Sequence, residues 1–415
     1  MKRSKAGFRL AAVAFPRRNI VALVLVAAVI DGAILAAAGW PRSNDPDELV
    51  AADKVVQASP KSAASPADEV PDLGNLDDDI GAVLVVSQGG TEITPTIRSL
   101  LTKGRVGGVL LFTSNFKTAA GLRLWSDRLR ALASAACLDH PILVMLDEEG
   151  GRVNRVQAGF APPSQLVAAM GGPDRVRALE RSSALGLRKV GVNLNLAPVA
   201  DVRTNPGDRI IGDRSFGSNP ANVAQLVGAA VKGLHDGGVG ATLKHFPGLG
   251  GAVGDPHLAI PTDMESEAQW TRVQKPAFKA GIAAGADAVM TTAVYVPGLG
   301  AGKTPAMFSA PVVNRLRTQL GFRGVIVSDS VSMGGIGVRY PLPQATVLAL
   351  QAGNDLILLG NSDPSYERSA MAAVRAAVLS GRLDRMKLHE SAMRVNAMRD
   401  KWGRPFAHCG PPAAA

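Results

Sequence analysis

The sequence predicts an α/β fold, a single (β/α)8 TIM-type barrel preceded by an export segment and a flexible linker. Two observations predict the barrel: eight short apolar runs rich in Val, Ile and Leu, and segments of helical spacing between them. Strands buried on both faces of a parallel sheet have this composition. Eight such strands alternating with helices over about 320 residues fit a barrel. A doubly wound open sheet is the alternative, because a single sequence does not show whether the sheet closes.

The predicted strands are short, and helical segments separate them. The apolar runs are IGAVLVVS (80–87), VGGVLLF (106–112), PILVMLD (141–147), VGVNLNLAPVADV (190–202), VGATLKHF (239–246), ADAVMTTAV (286–294), GVIVSDS (324–330) and DLILLG (355–360). Helical spacing is evident in TAAGLRLWSDRLRALASAA (118–136), NVAQLVGAAVKGLHDGG (222–238) and SAPVVNRLRTQLGF (309–322). We therefore expect the barrel over residues 76–403, a disordered tail over 404–415 and no second large domain.

Residues 1–40 are predicted to be a signal peptide or a membrane anchor. Basic residues up to Arg18 precede an uninterrupted apolar run over residues 20–30, as in an export signal. Asp31 interrupts the apolar stretch and favours a cleaved signal, because a charge at mid-membrane is costly. Residues 41–75 are rich in Pro, Ser, Ala and Asp, which predicts a disordered linker. We expect an exported protein of the cell envelope or extracellular space, free or anchored in the membrane.

The net charge of +10 is concentrated near the N-terminus, which argues against nucleic acid as a partner. Residues 1–42 hold seven Lys and Arg against one Asp, a net +6, which leaves +4 for the remaining residues. So small an excess gives no electrostatic footprint for a polyanion. The two cysteines, Cys137 and Cys409, are far apart in the sequence. They suggest neither a disulfide framework nor a thiolate metal site.

Charged residues follow several of the predicted strands, although a buried strand has little reason to end in charge. They are Asp147, Glu148, Glu149, Arg152 and Arg155 after strand three, Asp201, Asp213 and Arg214 after strand four, Lys244, His245, Asp255 and His257 after strand five, and Asp329 after strand seven. In a barrel the carboxyl ends of all strands meet at one mouth, where active sites lie. Any single one of these residues could instead be a solvated loop charge or a helix N-cap.

Such a mouth suits a hydroxyl-rich ligand such as a sugar, bound through charge-assisted hydrogen bonds. Glycoside cleavage needs one group to protonate the departing oxygen and another to attack or stabilise the sugar carbon. Asp329, short and at a strand end, is a candidate nucleophile. Asp255 and His257, two residues apart in an extended loop, can face the same way. The carboxylate would then hold the imidazole as a general acid and base near neutral pH.

Two other chemistries stay open for the same residues. His245, Asp255 and His257 could ligate a metal, although their spacing matches no recognised zinc pattern. Lys244 could form a Schiff base, as in barrel aldolases. That reaction would leave Asp255 and His257 without a clear role.

In these motifs the sequence resembles glycoside hydrolase family 3, specifically its bacterial β-N-acetylglucosaminidases, or β-hexosaminidases. The family pattern is D-x-E-G-G-R-V-x-R, then D-R-S-F-G, then K-H-F-P-G-H-G with D-S-H soon after, then S-D before a loop containing Met. The corresponding stretches here are DEEGGRVNR (147–155), DRSFG (213–217), KHFPGLG (244–250), DPH (255–257) and SDSVSMGG (328–335). The resemblance covers roughly residues 79–400, and its motifs occur in the right order.

The resemblance implies a retaining β-N-acetylhexosaminidase. Asp329 matches the family nucleophile, which forms a covalent glycosyl-enzyme, and His257 matches the general acid/base, paired with Asp255. The positions that match the residues holding the N-acetylglucosamine ring are Asp147, Arg155, Arg214, Lys244 and His245. The implied substrate is a terminal β-linked N-acetylglucosamine on muropeptides or other cell-wall glycans. No metal or organic cofactor is implied, and a monomer is expected.

Three positions depart from the family pattern. Leu249 replaces the second histidine of K-H-F-P-G-H-G, Pro256 replaces the serine between Asp255 and His257, and Ala293 occupies a position where a histidine is expected. A catalytically impaired, sugar-binding barrel is therefore one alternative. A family β-glucosidase, or a phosphorylase using phosphate in place of water, is another. Family β-glucosidases usually take the acid/base from a second domain, which favours the hexosaminidase branch here.

Overall fold

A computed structural model of the chain describes residues 73–157, 159–255, 257–360 and 364–404. The predicted export segment, almost all of the predicted linker, and the predicted tail after residue 404 lie outside these residues. Pro256 also lies outside them. Within the described ranges, no helix combines the length and the apolar character needed to cross a membrane.

Eight parallel strands form a nearly closed barrel, so the predicted (β/α)8 fold is confirmed. The strands are β1 (Leu84–Val86), β2 (Gly108–Leu110), β3 (Leu143–Leu146), β4 (Leu194–Asn195), β5 (Gly240–Phe246), β6 (Ala288–Thr291), β7 (Val325–Ser328) and β8 (Ile357–Leu358). From β1 to β7 each strand pairs with the next one in the sequence, and β1 also pairs with β8. A parallel bridge between Val327 and Leu356 connects β7 to the start of β8. The open-sheet alternative is therefore wrong.

Helices alternate with the strands, and most of them cover the outside of the barrel. They are α1 (Leu76–Ala82), α2 (Pro95–Thr102), α3 (Ala119–Ala135), α4 (Gln165–Ala169), α5 (Gly172–Lys189), α6 (Pro220–Asp236), α7 (Glu267–Arg272), α8 (Lys275–Ala283), α9 (Ala310–Thr318), α10 (Gly334–Gly337), α11 (Leu342–Ala352), α12 (Pro364–Leu379) and α13 (Arg385–Trp402). Local chemistry sets several of their starts. The Asn219 side chain, for example, accepts the N–H groups of Ala221 and Asn222, and Pro220 occupies the first turn of α6.

The apolar core has two layers, one inside the barrel and one between the strands and the helices. Neighbouring residues of a strand alternate between them: Met145 belongs to the inner cluster and Val144 to the outer one. On α13, Val395, Met398 and Trp402 pack against the inner cluster. A Cβ atom at position 240, the start of β5, would collide with the Trp402 ring. Helix α13 therefore closes the end of the barrel where the strands begin.

The structure corrects two details of the sequence interpretation. The run 80–87 does not begin as a strand, because α1 continues to Ala82. The Asn75 side chain caps that helix, and three aspartates occupy its first turn, where they stabilise the helix dipole. Cys137 is disulfide-bonded, whereas the positions of the two cysteines in the sequence did not suggest a disulfide. Cys409, the other cysteine of the sequence, lies outside the described residues.

Candidate active site

A pocket of about 380 Å³ opens at the carboxyl ends of the strands. Seven of the eight predicted site residues line it: Asp147, Arg155, Arg214, Lys244, His245, His257 and Asp329. The eighth, Asp255, contacts His257 through its side chain. The barrel thus brings together residues that are up to 182 positions apart (329 minus 147) in the sequence. This convergence is what the strand-end argument predicts.

A buried network of two carboxylates and two cations forms one wall of the pocket. The Lys244 ammonium lies 2.6 Å from Asp147 Oδ1 and 2.6 Å from Glu149 Oε1. Arg214 donates two hydrogen bonds to Glu149, at 2.6 and 2.8 Å. Arg155 approaches the other oxygen of Asp147 at 4.0 Å. Glu149 and Lys244 are almost fully buried, so the network fixes the shape of this wall.

The network determines which of its groups are charged. Burial alone would raise the pKa of Glu149, but Lys244 and Arg214 overcome it and hold that pKa well below its usual range. Burial likewise opposes the charge on Lys244, yet Asp147 and Glu149 raise its pKa above the ordinary value. A Schiff-base lysine needs a lowered pKa to be a nucleophile. The environment of Lys244 therefore disfavours the aldolase alternative.

His245 is held by Asp201, a strand-end carboxylate to which the sequence analysis gave no role. Asp201 Oδ2 lies 2.7 Å from His245 Nδ1, and Oδ1 accepts the backbone N–H of His245 and, at 2.8 Å, that of Leu249. Arg214 Nη2 lies 3.3 Å from His245 Nε2. Because a guanidinium only donates, Nε2 is the acceptor and Nδ1 carries the proton. Leu249 is buried, and its backbone N–H anchors the loop to Asp201.

Lys244 and His245 are consecutive, yet both side chains line the pocket. Successive residues of a regular strand point to opposite faces. Here the pairing of β5 with β6 shifts register between Leu243 and Phe246. Such an irregularity redirects a side chain next to a site, and it explains how two adjacent residues serve the same pocket.

The loop that carries Arg214 is fastened by Arg152. The Arg152 side chain donates to the carbonyl groups of Arg209, Ile210 and Ile211 and pairs with Asp213 at 3.1 Å. Arg152 therefore positions Arg214 through the loop backbone. Its role is structural, although the sequence placed it among the mouth residues.

Asp329 follows the last residue of β7, and each of its carboxylate oxygens accepts one hydrogen bond. The backbone N–H of Ser330 donates to Oδ1 at 2.8 Å, and the hydroxyl of Thr292 donates to Oδ2 at 2.9 Å. The Asp329 backbone N–H donates to the carbonyl of Thr291 at 2.8 Å. The carboxylate therefore has a fixed orientation towards the pocket.

His257 and Asp255 form the predicted pair on an exposed loop. Asp255 Oδ1 lies 2.8 Å from His257 Nδ1 and accepts the His257 backbone N–H at 2.9 Å. These hydrogen bonds outweigh the effect of partial burial and hold the pKa of Asp255 below its usual range. The His257 side chain is 69% exposed. A Cβ atom at position 334 would collide with the His257 carbonyl oxygen, so Gly334 lets this loop approach the loop after β7.

Glu148 was predicted only as a strand-end charge, and it turns away from the pocket. Its Oε2 accepts the backbone N–H groups of Arg155 and Val156, at 2.8 and 3.1 Å, which fixes the segment that carries Arg155. Burial raises the pKa of Glu148 to about 7, although those two hydrogen bonds oppose the shift. Burial, with a smaller contribution from Glu148, also raises the pKa of Glu180 on α5 to about 8.

These buried acids predict that folding stability falls as the pH rises. Between the unfolded pKa of about 4.5 and the folded pKa, the native state holds a proton that the unfolded state has released. The free energy of unfolding therefore decreases with pH across that interval. We expect Glu180→Gln to resemble the wild type at pH 5 and to be roughly 2–4 kcal/mol more stable at pH 8. Urea unfolding at several pH values measures this difference. Glu92→Gln, at a largely exposed carboxylate, serves as the control. If the free energies of unfolding of wild type and Glu180→Gln changed in parallel with pH, the prediction would be contradicted.

The metal alternative gains no support from the geometry. No group of three or more His, Cys, Asp or Glu side chains in the described part of the chain is arranged to hold a metal ion. His245 Nδ1 is engaged by Asp201 and His257 Nδ1 by Asp255. The two histidines thus act within separate carboxylate pairs.

A (β/α)8 barrel with a strand-end carboxylate and a carboxylate–imidazole pair at its mouth has the groups that a barrel glycoside hydrolase needs. The family model described as "Glycosyl hydrolase family 3 N terminal domain" matches residues 75–398. The chain belongs to glycoside hydrolase family 3.

Individual relatives agree with the resemblance found in the motifs. A beta-hexosaminidase of Stenotrophomonas maltophilia is 36% identical over 307 residues, which cover 72% of this chain and 88% of the relative. Beta-hexosaminidase LpqI of Mycobacterium tuberculosis is 32% identical over 360 residues, covering 85% and 88%. A solved glycoside hydrolase family 3 beta-N-acetylglucosaminidase from Paenibacillus sp. matches with a TM-score of 0.75 and 33% identity, over 82% of this chain and 66% of that one. The predicted resemblance to the β-N-acetylglucosaminidase branch is confirmed.

Proposed function

We propose that this protein is a retaining β-N-acetylhexosaminidase that removes terminal β-linked N-acetylglucosamine from cell-wall glycans such as muropeptides. The observation that carries the proposal is the convergence of Asp329 and the Asp255–His257 pair on one pocket with a wall of buried charge. The similarity to named β-hexosaminidases supports the acetamido sugar as the substrate.

In the first step a carboxylate oxygen of Asp329 attacks the anomeric carbon of the sugar. The bond from that carbon to the glycosidic oxygen breaks, and His257 donates its proton to the departing oxygen. A covalent glycosyl–Asp329 ester and a free aglycone result. Asp255 stabilises the imidazolium form of His257 that this step consumes.

In the second step His257 takes a proton from water while the water oxygen attacks the same carbon. The ester bond to Asp329 breaks, the carboxylate is regenerated, and the sugar leaves with its original β configuration. Two displacements at one carbon account for retention. The high exposure of the His257 side chain gives the aglycone and the water access to the proton donor.

The sugar-binding roles follow the exposure of each side chain. The Asp147 and Arg155 side chains are 20% and 34% exposed, so they can meet sugar hydroxyl groups directly. Lys244 lies beneath them, with its side chain 2% exposed, and positions Asp147. Arg214 and His245 complete the wall at the side of β5.

The test is the turnover of two chromogenic substrates, the nitrophenyl β-N-acetylglucosaminide and the nitrophenyl β-glucoside. We expect the acetamido substrate to be cleaved faster, with and without added phosphate. No turnover of either substrate would contradict the proposal that the protein is a glycoside hydrolase. Faster cleavage of the glucoside would contradict the acetamido assignment, and a strict requirement for phosphate would favour a phosphorylase.

We also propose that the protein acts outside the cytoplasmic membrane. The basic and apolar pattern of residues 1–40 supports export, and cell-wall fragments occur in that compartment. Fractionation of cells that express the full chain tests the proposal, and recovery of all the protein in the cytoplasm would contradict it.

His257→Ala is expected to impair hydrolysis to a degree that depends on the leaving group. A nitrophenolate leaves without much protonation, so its release should fall modestly, whereas an unactivated disaccharide should lose about 10²–10⁴-fold in kcat/KM, the usual contribution of a general acid. Steady-state kinetics on both substrates measure the contrast. Equal losses on the two would contradict the role of His257 as the acid.

A further inference from the structure

Thr292 lies beside Asp329 with its hydroxyl in a fixed position. It follows the last residue of β6 and is fully buried. Its backbone N–H donates to the carbonyl of Phe246 at 3.0 Å, and its carbonyl accepts the N–H of Met307 at 3.1 Å. Backbone hydrogen bonds on both sides hold the main chain, and complete burial limits the rotation of the side chain.

The Thr292 hydroxyl is directed at one oxygen of the catalytic carboxylate. Oγ1 lies 2.9 Å from Asp329 Oδ2, and an ionised carboxylate only accepts, so the hydroxyl is the donor. Ser330 donates its backbone N–H to Oδ1. One donor on each oxygen fixes the rotation of the carboxylate about its Cβ–Cγ bond. The backbone donor cannot be removed by a side-chain change, whereas the threonine hydroxyl can.

We propose that Thr292 is a positioning residue for the nucleophile, a role that rests on the proposed function of Asp329. In the first step the hydroxyl keeps the carboxylate in the plane from which it attacks the anomeric carbon. In the second step the carboxylate becomes the leaving group, and the same hydrogen bond stabilises its returning negative charge. Thr292 forms no bond to the substrate.

The expected effect is on kcat, because the hydroxyl acts on the nucleophile and leaves sugar binding unchanged. Thr292→Val keeps the shape and removes the donor. A hydrogen bond to a charged group predicts a fall of about 10- to 100-fold in kcat on the nitrophenyl β-N-acetylglucosaminide. KM should stay within about twofold. Thr292→Ser keeps the donor and should retain most of the wild-type kcat.

Thr346→Val is the matched control. Thr346 is also fully buried, and its hydroxyl donates to the Leu342 carbonyl at 2.8 Å within α11. This variant loses a buried hydrogen bond without touching the pocket, so its stability should fall while its kcat stays unchanged. Thr292→Ala provides a second donor-free variant if the valine variant does not fold.

The outcomes separate this inference from the proposed function. A wild type without activity contradicts the proposed function itself. An active wild type with unchanged kcat in Thr292→Val or Thr292→Ala overturns the role of Thr292. A loss in Thr292→Ser as large as that in Thr292→Val also overturns it, because packing would then be the cause. Loss confined to the donor-free variants supports the role.

Discussion

Replacement of Asp329 by alanine is expected to lower kcat on the nitrophenyl β-N-acetylglucosaminide by about 10⁴-fold or more. The substitution removes the attacking oxygen, and no other pocket carboxylate is free to replace it, since Asp147 and Glu149 are paired with Lys244. A continuous assay of nitrophenolate release measures the loss. Asp174→Ala, at an exposed position in the first turn of α5, is the control and should keep full activity.

Rescue of the alanine variant by azide provides a second test of Asp329 as the nucleophile. A small anion can enter the space left by the carboxylate and attack the activated sugar from the same side. Azide should therefore restore turnover of the alanine variant and give a glycosyl azide of inverted, α configuration. More than about 1% residual kcat without azide, or a β-azide product, would assign the nucleophile to another group.

The second large effect is on stability, at Glu149. Glu149→Gln is expected to lower the free energy of unfolding by about 3–5 kcal/mol, because it leaves the buried Arg214 without its charge partner and Lys244 with Asp147 alone. The Lys244 side chain is 2% exposed and that of Arg214 is 14% exposed, so solvent cannot replace the lost carboxylate. Denaturant unfolding at neutral pH measures the change.

An exposed pair of the same type provides the control for Glu149. Glu267 also receives two hydrogen bonds from one arginine, Arg315, but its side chain is 50% exposed. Pairs of that kind contribute about 0–1 kcal/mol, so Glu267→Gln should change stability little. Similar losses in the two variants would show that the burial of the Glu149 network has no special energetic effect.

The fold could be predicted from the sequence because each strand has an apolar run of its own and the connections have helical spacing. The mouth residues followed from the topology, since the carboxyl ends of parallel strands meet. The predicted topology alone was enough to place Asp329 and Lys244 near each other. The Asp255–His257 contact was also predictable, because two residues in an extended loop are close in sequence and in space.

The pairings across the pocket could not be predicted. The sequence showed Glu149, Asp201, Lys244 and Arg214 at strand ends, but which carboxylate meets which cation depends on the register of the barrel. The register shift in β5 that turns Lys244 and His245 to one side has no sequence pattern of its own. Thr292 was missed because a threonine after a buried strand is ordinary β-sheet composition, and only the distance to Asp329 identifies it.

The helix that seals the barrel has a consequence for the order of events in each catalytic cycle. Because Val395, Met398 and Trp402 of α13 pack against the inner cluster, the described part of the barrel has no exit at its far end. Substrate must therefore enter, and both products must leave, at the carboxyl ends of the strands. In the proposed two-step mechanism the aglycone leaves there before water arrives, and the released monosaccharide leaves last. Free product should therefore compete directly with the next substrate.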